Sequence, residues 1–145
     1  MKYISHDVIT LGKRTAITEP IANVTGYLTE TIDTLPGKYI VKEIIGGNDG
    51  NMLDGLLVLH ESVATEVDAK HCLEDSLLDI NVVGAVCGVY DAEKCLKAGV
   101  FLDGIWGFSA TGFGGFGVYS VYLHRNIKNG RVDAFHVDFT EMRLK

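Results

Sequence analysis

The sequence predicts a mainly β domain, an antiparallel sheet sandwich or partly open barrel with one or two short helices at most. Its 145 residues are enough for a single domain, 1–145, with a buried core. Two prolines and 17 glycines punctuate the chain, a pattern typical of many short strands joined by turns. Apolar residues make up 47% and charged residues 22%, as in ordinary globular proteins.

Two neighbouring strands are predicted in the first half of the chain. Residues 38–45 are rich in β-branched and aromatic side chains and follow a turn signal at 35–37. Residues 56–60 form a continuous apolar run of strand length. The polar loop at 48–51 is placed to join the two strands as a hairpin.

The segment 61–78 supports two interpretations, which the sequence leaves open. Val63, Thr65 and Val67 alternate as in a strand. Ser62, however, is a good N-cap for a short amphipathic helix.

A long valine-rich run predicts a central buried strand at 80–90. The run is apolar almost throughout, has no helical periodicity, and would bend at Gly84 or Gly88. Asp91 is then expected to cap one or two helical turns that extend to Ala98.

Residues 118–139 are predicted to form an antiparallel hairpin that turns at Asn129 and Gly130. Asn-Gly is the preferred pair for a two-residue type I′ turn, in which both central residues need a positive φ. Such a turn fixes the register, and the register decides the face on which every side chain lies. The opposed pairs on one face are Ile127 with Val132, Arg125 with Ala134, Leu123 with His136 and Val121 with Asp138.

The other face of this hairpin is the predicted core side, because each large apolar side chain buried there contributes about 1.5–3 kcal/mol. Its apolar residues are Val118, Tyr122, Phe135, Val137 and Phe139.

His136 and Asp138 share the opposite, mixed face, near Arg125. A histidine and a carboxylate so placed can act as an acid–base pair or as part of a metal site. The alternative is a solvated sheet face with a local ion pair. Because two potential ligands do not make a metal site, we expect no metal.

The charge balance argues against nucleic acids and membranes as partners. Acidic residues outnumber basic ones by 19 to 13, the net charge is −6, and the basic residues are scattered. Nucleic acids and anionic membrane surfaces are bound chiefly through basic patches. We therefore expect another protein as the partner, one with a basic surface.

The chain shows no feature of a secreted or membrane protein. No apolar run approaches the roughly 20 residues that span a bilayer, and the N-terminus lacks the apolar core of a signal peptide. The number of cysteines is odd, and the spacing of Cys72, Cys87 and Cys95 matches no zinc site. These features predict a cytoplasmic protein.

The segment 112–117 has the letters of a GxGxxG motif, but a predicted strand follows it instead of the helix that a dinucleotide site needs. We therefore expect no cofactor. The same region places large aromatic side chains among glycines, as a binding loop for another protein would. The alternative is that these side chains close the core. The aromatic residues are Trp106, Phe108, Phe113 and Phe116.

Several motifs are similar to one family. They are CGVYDAEKC at 87–95, VFLD at 100–103, GVYSVY at 117–122, NGRV at 129–132, VDF at 137–139 and LPGKY at 35–39. Through them the chain resembles a family of uncharacterised bacterial β-rich domains, a domain of unknown function. The glycine-aromatic stretch departs from that family, which tends to have a simpler acidic turn there. The resemblance implies a β-rich architecture and no catalytic residues.

Together these features predict a non-enzymatic protein-binding module, a small acidic inhibitor or immunity-type protein of bacterial or phage origin. The GxSxG, HExxH and P-loop motifs do not occur. Two alternatives stay open. One is a hydrolase or small-ligand enzyme that uses His136, Asp138 and Arg125, and the other is a structural homo-oligomer joined through an edge strand.

Overall fold

The computed structural model describes residues 2–18, 30–46, 52–82, 87–93, 106–108 and 117–142. These residues form ten strands and one 3-10 turn, Ala69–His71. The strands are β1 Lys2–Leu11, β2 Arg14–Thr18, β3 Glu30–Asp33, β4 Gly37–Gly46, β5 Met52–His60, β6 Glu74–Val82, β7 Cys87–Asp91, β8 Trp106–Phe108, β9 Gly117–Arg125 and β10 Val132–Met142. Within these ranges, no helix is long and apolar enough to cross a membrane.

The strands are arranged in two antiparallel sheets. One has six strands in the order β1-β4-β5-β10-β9-β6, and the other has four in the order β3-β2-β7-β8. The mainly β prediction is confirmed, and the sheets are not closed into a barrel. The two predicted neighbouring strands are β4 and β5, which pair antiparallel as expected.

The main core contains buried side chains from both sheets, in accordance with strand alternation. In β5, Leu56 and Val58 belong to this core, whereas Leu57 and Leu59 belong to a second cluster. Because alternate residues point to opposite faces of a strand, the second cluster lies on the outer face of the six-stranded sheet. Both faces of β5 are therefore buried, which explains its continuous apolar run.

The segment after β5 covers the outer face of the six-stranded sheet. Val67 and Cys72 are buried there against Leu57, Leu59 and Ala134. The sequence left a strand and a helix open for 61–78. In the structure this segment has turns over 61–66, then the 3-10 turn, and then β6. Of the alternating residues that suggested a strand, Val63 and Thr65 thus lie in turns and Val67 follows them, and the proposed cap at Ser62 begins no helix.

The predicted hairpin exists as β9 and β10, but its turn and register are wrong by one residue. The loop contains four residues, 127–130, and not two. A hydrogen bond from the Asn126 N–H to the Arg131 oxygen at 2.8 Å closes this loop. The side-chain oxygens of Asn126 and Asn129 accept from the N–H groups of Lys128 and Arg131, each at 2.9 Å. These local bonds favour the wider loop. Gly130, at its end, has φ +71°.

The shifted register exchanges the faces of β9. Leu123 lies opposite Phe135, and both are buried in the core between the sheets. Tyr122 lies opposite His136 and packs against the outer cluster, so its predicted place in the main core is wrong. Val137 is in that core as predicted. For Val118 and Phe139 the structure describes the backbone in β9 and β10, and not the side chain.

The predicted central strand at 80–90 is two strands in different sheets. β6 is an edge strand of the six-stranded sheet, whereas β7 lies inside the four-stranded sheet. Gly84 falls outside the described residues, and Gly88 lies in β7. A continuous apolar run indicates burial, but it does not show that the chain crosses from one sheet to another along it.

The helix predicted after Asp91 is described only at its start. Asp91 ends β7, and its carboxylate accepts from the Glu93 N–H at 3.1 Å, which forms a turn there. The remaining residues of that prediction, 94–98, lie outside the described residues.

The core between the sheets predicts a strong contrast within one hairpin. Phe135→Ala removes a fully buried ring and should lower the free energy of unfolding by about 3–5 kcal/mol. Ile127→Ala changes a fully exposed side chain and should change it by less than about 0.5 kcal/mol. Urea unfolding followed by circular dichroism measures both. Equal effects of the two substitutions would contradict this packing.

Candidate functional site

The structure places two of the four predicted aromatic binding residues. Trp106 and Phe108 lie in β8, the outermost strand of the four-stranded sheet, with Trp106 paired to Val89 and Phe108 to Cys87. Phe113 and Phe116 lie outside the described residues. The glycine-aromatic binding loop therefore stays a prediction.

The second predicted group of site residues, His136, Asp138 and Arg125, is only partly brought together. His136 and Asp138 alternate along β10, whereas Arg125 lies at the end of β9, where its Nη1 donates to the Gly130 oxygen at 3.0 Å. His136 packs closely over β5, because a Cβ on Gly55 would lie 2.9 Å from its Nε2. Burial lowers the pKa of His136, and the nearby Asp138 opposes this shift.

A different histidine and carboxylate of the same hairpin are in direct contact. The His124 Nδ1 and the Asp133 Oδ1 are 2.6 Å apart. Asp133 is 1% exposed and the His124 side chain 31% exposed. The buried carboxylate therefore fixes the orientation of the ring and leaves Nε2 as the nitrogen that can meet a ligand.

The sequence prediction missed this pair because of the register. A two-residue turn that pairs Ile127 with Val132 and Arg125 with Ala134 puts His124 and Asp133 on the same face, but it sets Asn126 opposite Asp133. In the structure an irregularity lies between Val132 and Ala134, next to the pair. Since bulges re-aim single side chains, the one signal available in advance was the shared face.

His71 is a second histidine whose orientation is fixed by the backbone. Its Nδ1 accepts from the Asp68 N–H at 2.8 Å, and the Asp68 side chain accepts from the N–H of Ala69. These bonds are part of a capping box at the 3-10 turn. An Nδ1 that accepts leaves the proton on Nε2, so His71 offers an N–H donor.

Both histidines line one open cleft of about 450 Å³ between the segment 63–71 and the turn of the hairpin. We call it the hairpin cleft. Its apolar lining comes from Val63, Val67 and Ile127. Its charged and polar lining comes from Glu66, His71, His124, Arg125, Asn126, Lys128 and Asp133.

A smaller open cleft of about 290 Å³ lies on the other side of the same segment. There the Tyr3 hydroxyl donates to the Asp68 Oδ1 at 2.7 Å. Desolvation, followed by this hydrogen bond, raises the pKa of Tyr3 to about 12. Lys70 lines this smaller cleft but not the hairpin cleft, which makes it a useful control position.

Three turns are joined at the end of the sandwich beside the hairpin cleft. The Thr34 N–H donates to the Lys13 oxygen at 3.0 Å, and the Leu35 N–H donates to the Val132 oxygen at 2.9 Å. The Arg131 Nη1 donates to the oxygens of Lys13 and Thr34, at 3.0 and 3.2 Å. The loops β1–β2, β3–β4 and β9–β10 therefore form one hydrogen-bonded unit.

The polar side chains in the interior of this unit also have hydrogen-bond partners. The buried hydroxyls of Thr15 and Thr34 are 2.8 Å apart, and Thr34 Oγ1 donates to the Gly12 oxygen at 2.7 Å. The Tyr39 hydroxyl lies within hydrogen-bond distance of the oxygens of Leu35 and Val132. Because buried polar groups are costly when unpaired, these bonds favour one fixed arrangement of the turns.

The turn unit presents an apolar residue to solvent. Ile127 is fully exposed, and Arg125, Lys128 and Arg131 are close to it in the hairpin. We call residues 125–131, together with Lys13, the hairpin end. The hairpin end contains four basic residues, Lys13, Arg125, Lys128 and Arg131, and no acidic one.

No metal centre is found in the described part of the chain, and Cys72, the cysteine whose side chain is described there, is not an activated thiol. No group of three or more histidine, cysteine, aspartate or glutamate residues there is placed to hold a metal ion. Cys72 is buried, and desolvation, followed by the nearby charges of Asp133 and Asp68, raises the pKa of its thiol to about 12. A thiol with such a pKa is a poor nucleophile at neutral pH.

No protein-family model matches the chain, and neither does any curated protein or solved structure. The resemblance based on sequence motifs therefore stays a prediction.

The burial of His136 predicts a specific pH dependence of stability. Because its folded-state pKa is lowered, the unfolded chain binds the proton more readily, and stability falls as pH falls through the ordinary histidine pKa of about 6.5. His136→Gln, which does not titrate, should lose less stability than the natural protein between about pH 7.5 and pH 5. Thermal unfolding across that range measures the difference, and parallel curves for both proteins would contradict it.

Proposed function

We propose that the protein is a non-enzymatic protein-binding module of the inhibitor or immunity type, and that it docks through the hairpin end. The observation that carries the proposal is the fully exposed Ile127 on a turn that hydrogen bonds hold in place. When a partner binds an apolar side chain at such a position, little conformational entropy is lost, because the turn is already fixed.

The chemistry of the hairpin end is that of a protein contact. Interfaces combine an apolar anchor with a polar rim, and arginine is enriched in them. Here Ile127 is the anchor, and Arg125, Lys128 and Arg131 supply the rim. Arg131 also bonds to Lys13 and Thr34, so the rim is tied to the rest of the fold.

The local charge of the hairpin end favours an acidic patch on the partner. The net charge of −6 favours a basic partner, but net charge acts over the whole molecule, whereas docking depends on the surfaces that meet. At about 0.15 M salt the interaction of exposed charges is screened beyond about 8 Å. The charges next to Ile127 therefore decide the sign of the patch that fits there.

The enzyme alternative has less support in the described residues. It requires His136, Asp138 and Arg125 to act together, and the Arg125 Nη1 donates to the Gly130 oxygen at the turn. Neither of the two clefts above is lined by His136 or Asp138. The homo-oligomer alternative needs an edge strand open to pairing. Edge strands β1 and β6 each have an irregularity in their pairing, a device that hinders such pairing. The edge strands of the other sheet, β3 and β8, have only four and three residues, and short edge strands also hinder it.

A pull-down from the native host cell tests the hairpin end. The double variant Ile127→Ser/Lys128→Glu removes the anchor and reverses a rim charge, so capture of the partner should fall roughly tenfold. Quantitative mass spectrometry of the captured proteins gives the ratio. The matched control is Leu73→Ser/Lys70→Glu, which likewise removes an apolar side chain and reverses a lysine charge at two other exposed positions and should capture the partner as the natural protein does.

Two outcomes would contradict docking at the hairpin end. One is equal capture by the hairpin variant and its control. The other is loss of capture only in Trp106→Ala/Phe113→Ala, with the fold retained by circular dichroism. That second result would move the interface to the predicted glycine-aromatic loop.

A further inference from the structure

The hairpin cleft adjoins the hairpin end through shared residues. Arg125, Ile127 and Lys128 belong to both. A partner that covers Ile127 therefore also covers the mouth of the cleft. The cleft extends from there to Val63 and Val67 on the segment that covers the outer face of the six-stranded sheet.

The cleft presents two histidine rings whose Nε2 atoms are fixed in position. His71 presents an Nε2–H donor, since its Nδ1 accepts from the Asp68 N–H. His124 presents Nε2 while its Nδ1 faces the buried Asp133. Both rings are oriented by hydrogen bonds before any ligand arrives, which reduces the ordering cost of binding.

The charges that line the cleft are unevenly accessible. Arg125 and Lys128 are exposed cations of the hairpin. Of the two carboxylates, Asp133 is buried against His124, and only Glu66 is exposed. An entering group thus meets two cations and one anion, together with the apolar surface of the half-buried Val63 and of Ile127.

We propose that the hairpin cleft receives an acidic segment of the partner protein, in which a carboxylate stands next to an apolar side chain. The carboxylate is held by Arg125, Lys128 and the Nε2–H of His71. The apolar side chain packs against Val63 and Ile127. This inference rests on the proposed function and adds the chemistry that the cleft selects.

The experiment uses two short synthetic peptides as probes. One alternates leucine with glutamate, and the other has glutamine in place of every glutamate. Titration of each into the labelled full chain is followed by ¹H–¹⁵N NMR. We expect the glutamate peptide to shift the amides of 63–71 and 124–131, and the glutamine peptide to bind at least about five times more weakly, as expected for the loss of ionic contacts worth about 1 kcal/mol.

Charge reversal at two lysines separates a specific site from a general field. Lys128→Glu should weaken the glutamate peptide at least about fivefold, whereas Lys70→Glu makes the same change outside the hairpin cleft and should leave binding unchanged. Equal binding of both peptides, or equal weakening by both variants, would overturn the proposal. So would inorganic phosphate or a short single-stranded oligonucleotide that shifts the same amides at lower concentration than the peptide.

The two proposals fail separately. If capture in the pull-down depends on Ile127 and Lys128 but the peptide shifts no amide of the cleft, only the acidic-segment inference is wrong. If capture does not depend on them, docking at the hairpin end is wrong whatever the peptide does.

Discussion

The structure depends on the way the two sheets are joined at the hairpin end. The chain leaves the six-stranded sheet after Leu11 and returns to it after Thr34. Both crossings carry main-chain oxygens that strand pairing does not use. Arg131 donates to one oxygen in each crossing, and Thr34 forms a parallel bridge with Val132. The turn of the hairpin thus ties both crossings together.

This arrangement explains why an exposed isoleucine can be held at a turn. A buried polar group without a partner costs about 1–3 kcal/mol, so the bonds among Thr15, Thr34 and Gly12 limit the loops to few arrangements. Ile127 occupies the outer side of that fixed unit. The exposure of Ile127 therefore results from the way the turns are joined. The packing of the core does not explain it.

Local patterns in the sequence were sufficient for some elements. The strands at 38–45 and 56–60 were predictable because β-branched composition and turn residues act over a few positions. The hairpin was predictable for the same reason. Its register was not, because Asn126 and Asn129 bond to nearby N–H groups and widen the loop. At 80–90, apolar character predicted strand structure but not the sheet to which each half belongs.

The candidate site was less predictable than the fold. The contact between His124 and Asp133 follows from the register and the irregularity beside Asp133, and both depend on the turn. His71 lies in the segment whose structure the sequence left open. By contrast, His136 and Asp138 were correctly placed on alternate positions of one strand, because a period of two needs only the strand itself. A cleft between distant segments needs the tertiary structure.

Amide hydrogen exchange at Thr34 and Leu35 tests the joined turns most directly. Their N–H groups donate across the turns to Lys13 and Val132. If the three turns form one unit, both amides should exchange as slowly as those of the central strand β5, and Arg131→Met should speed their exchange while leaving β5 unchanged. Exchange at both amides near the rate of an unstructured peptide in the natural protein would contradict the account.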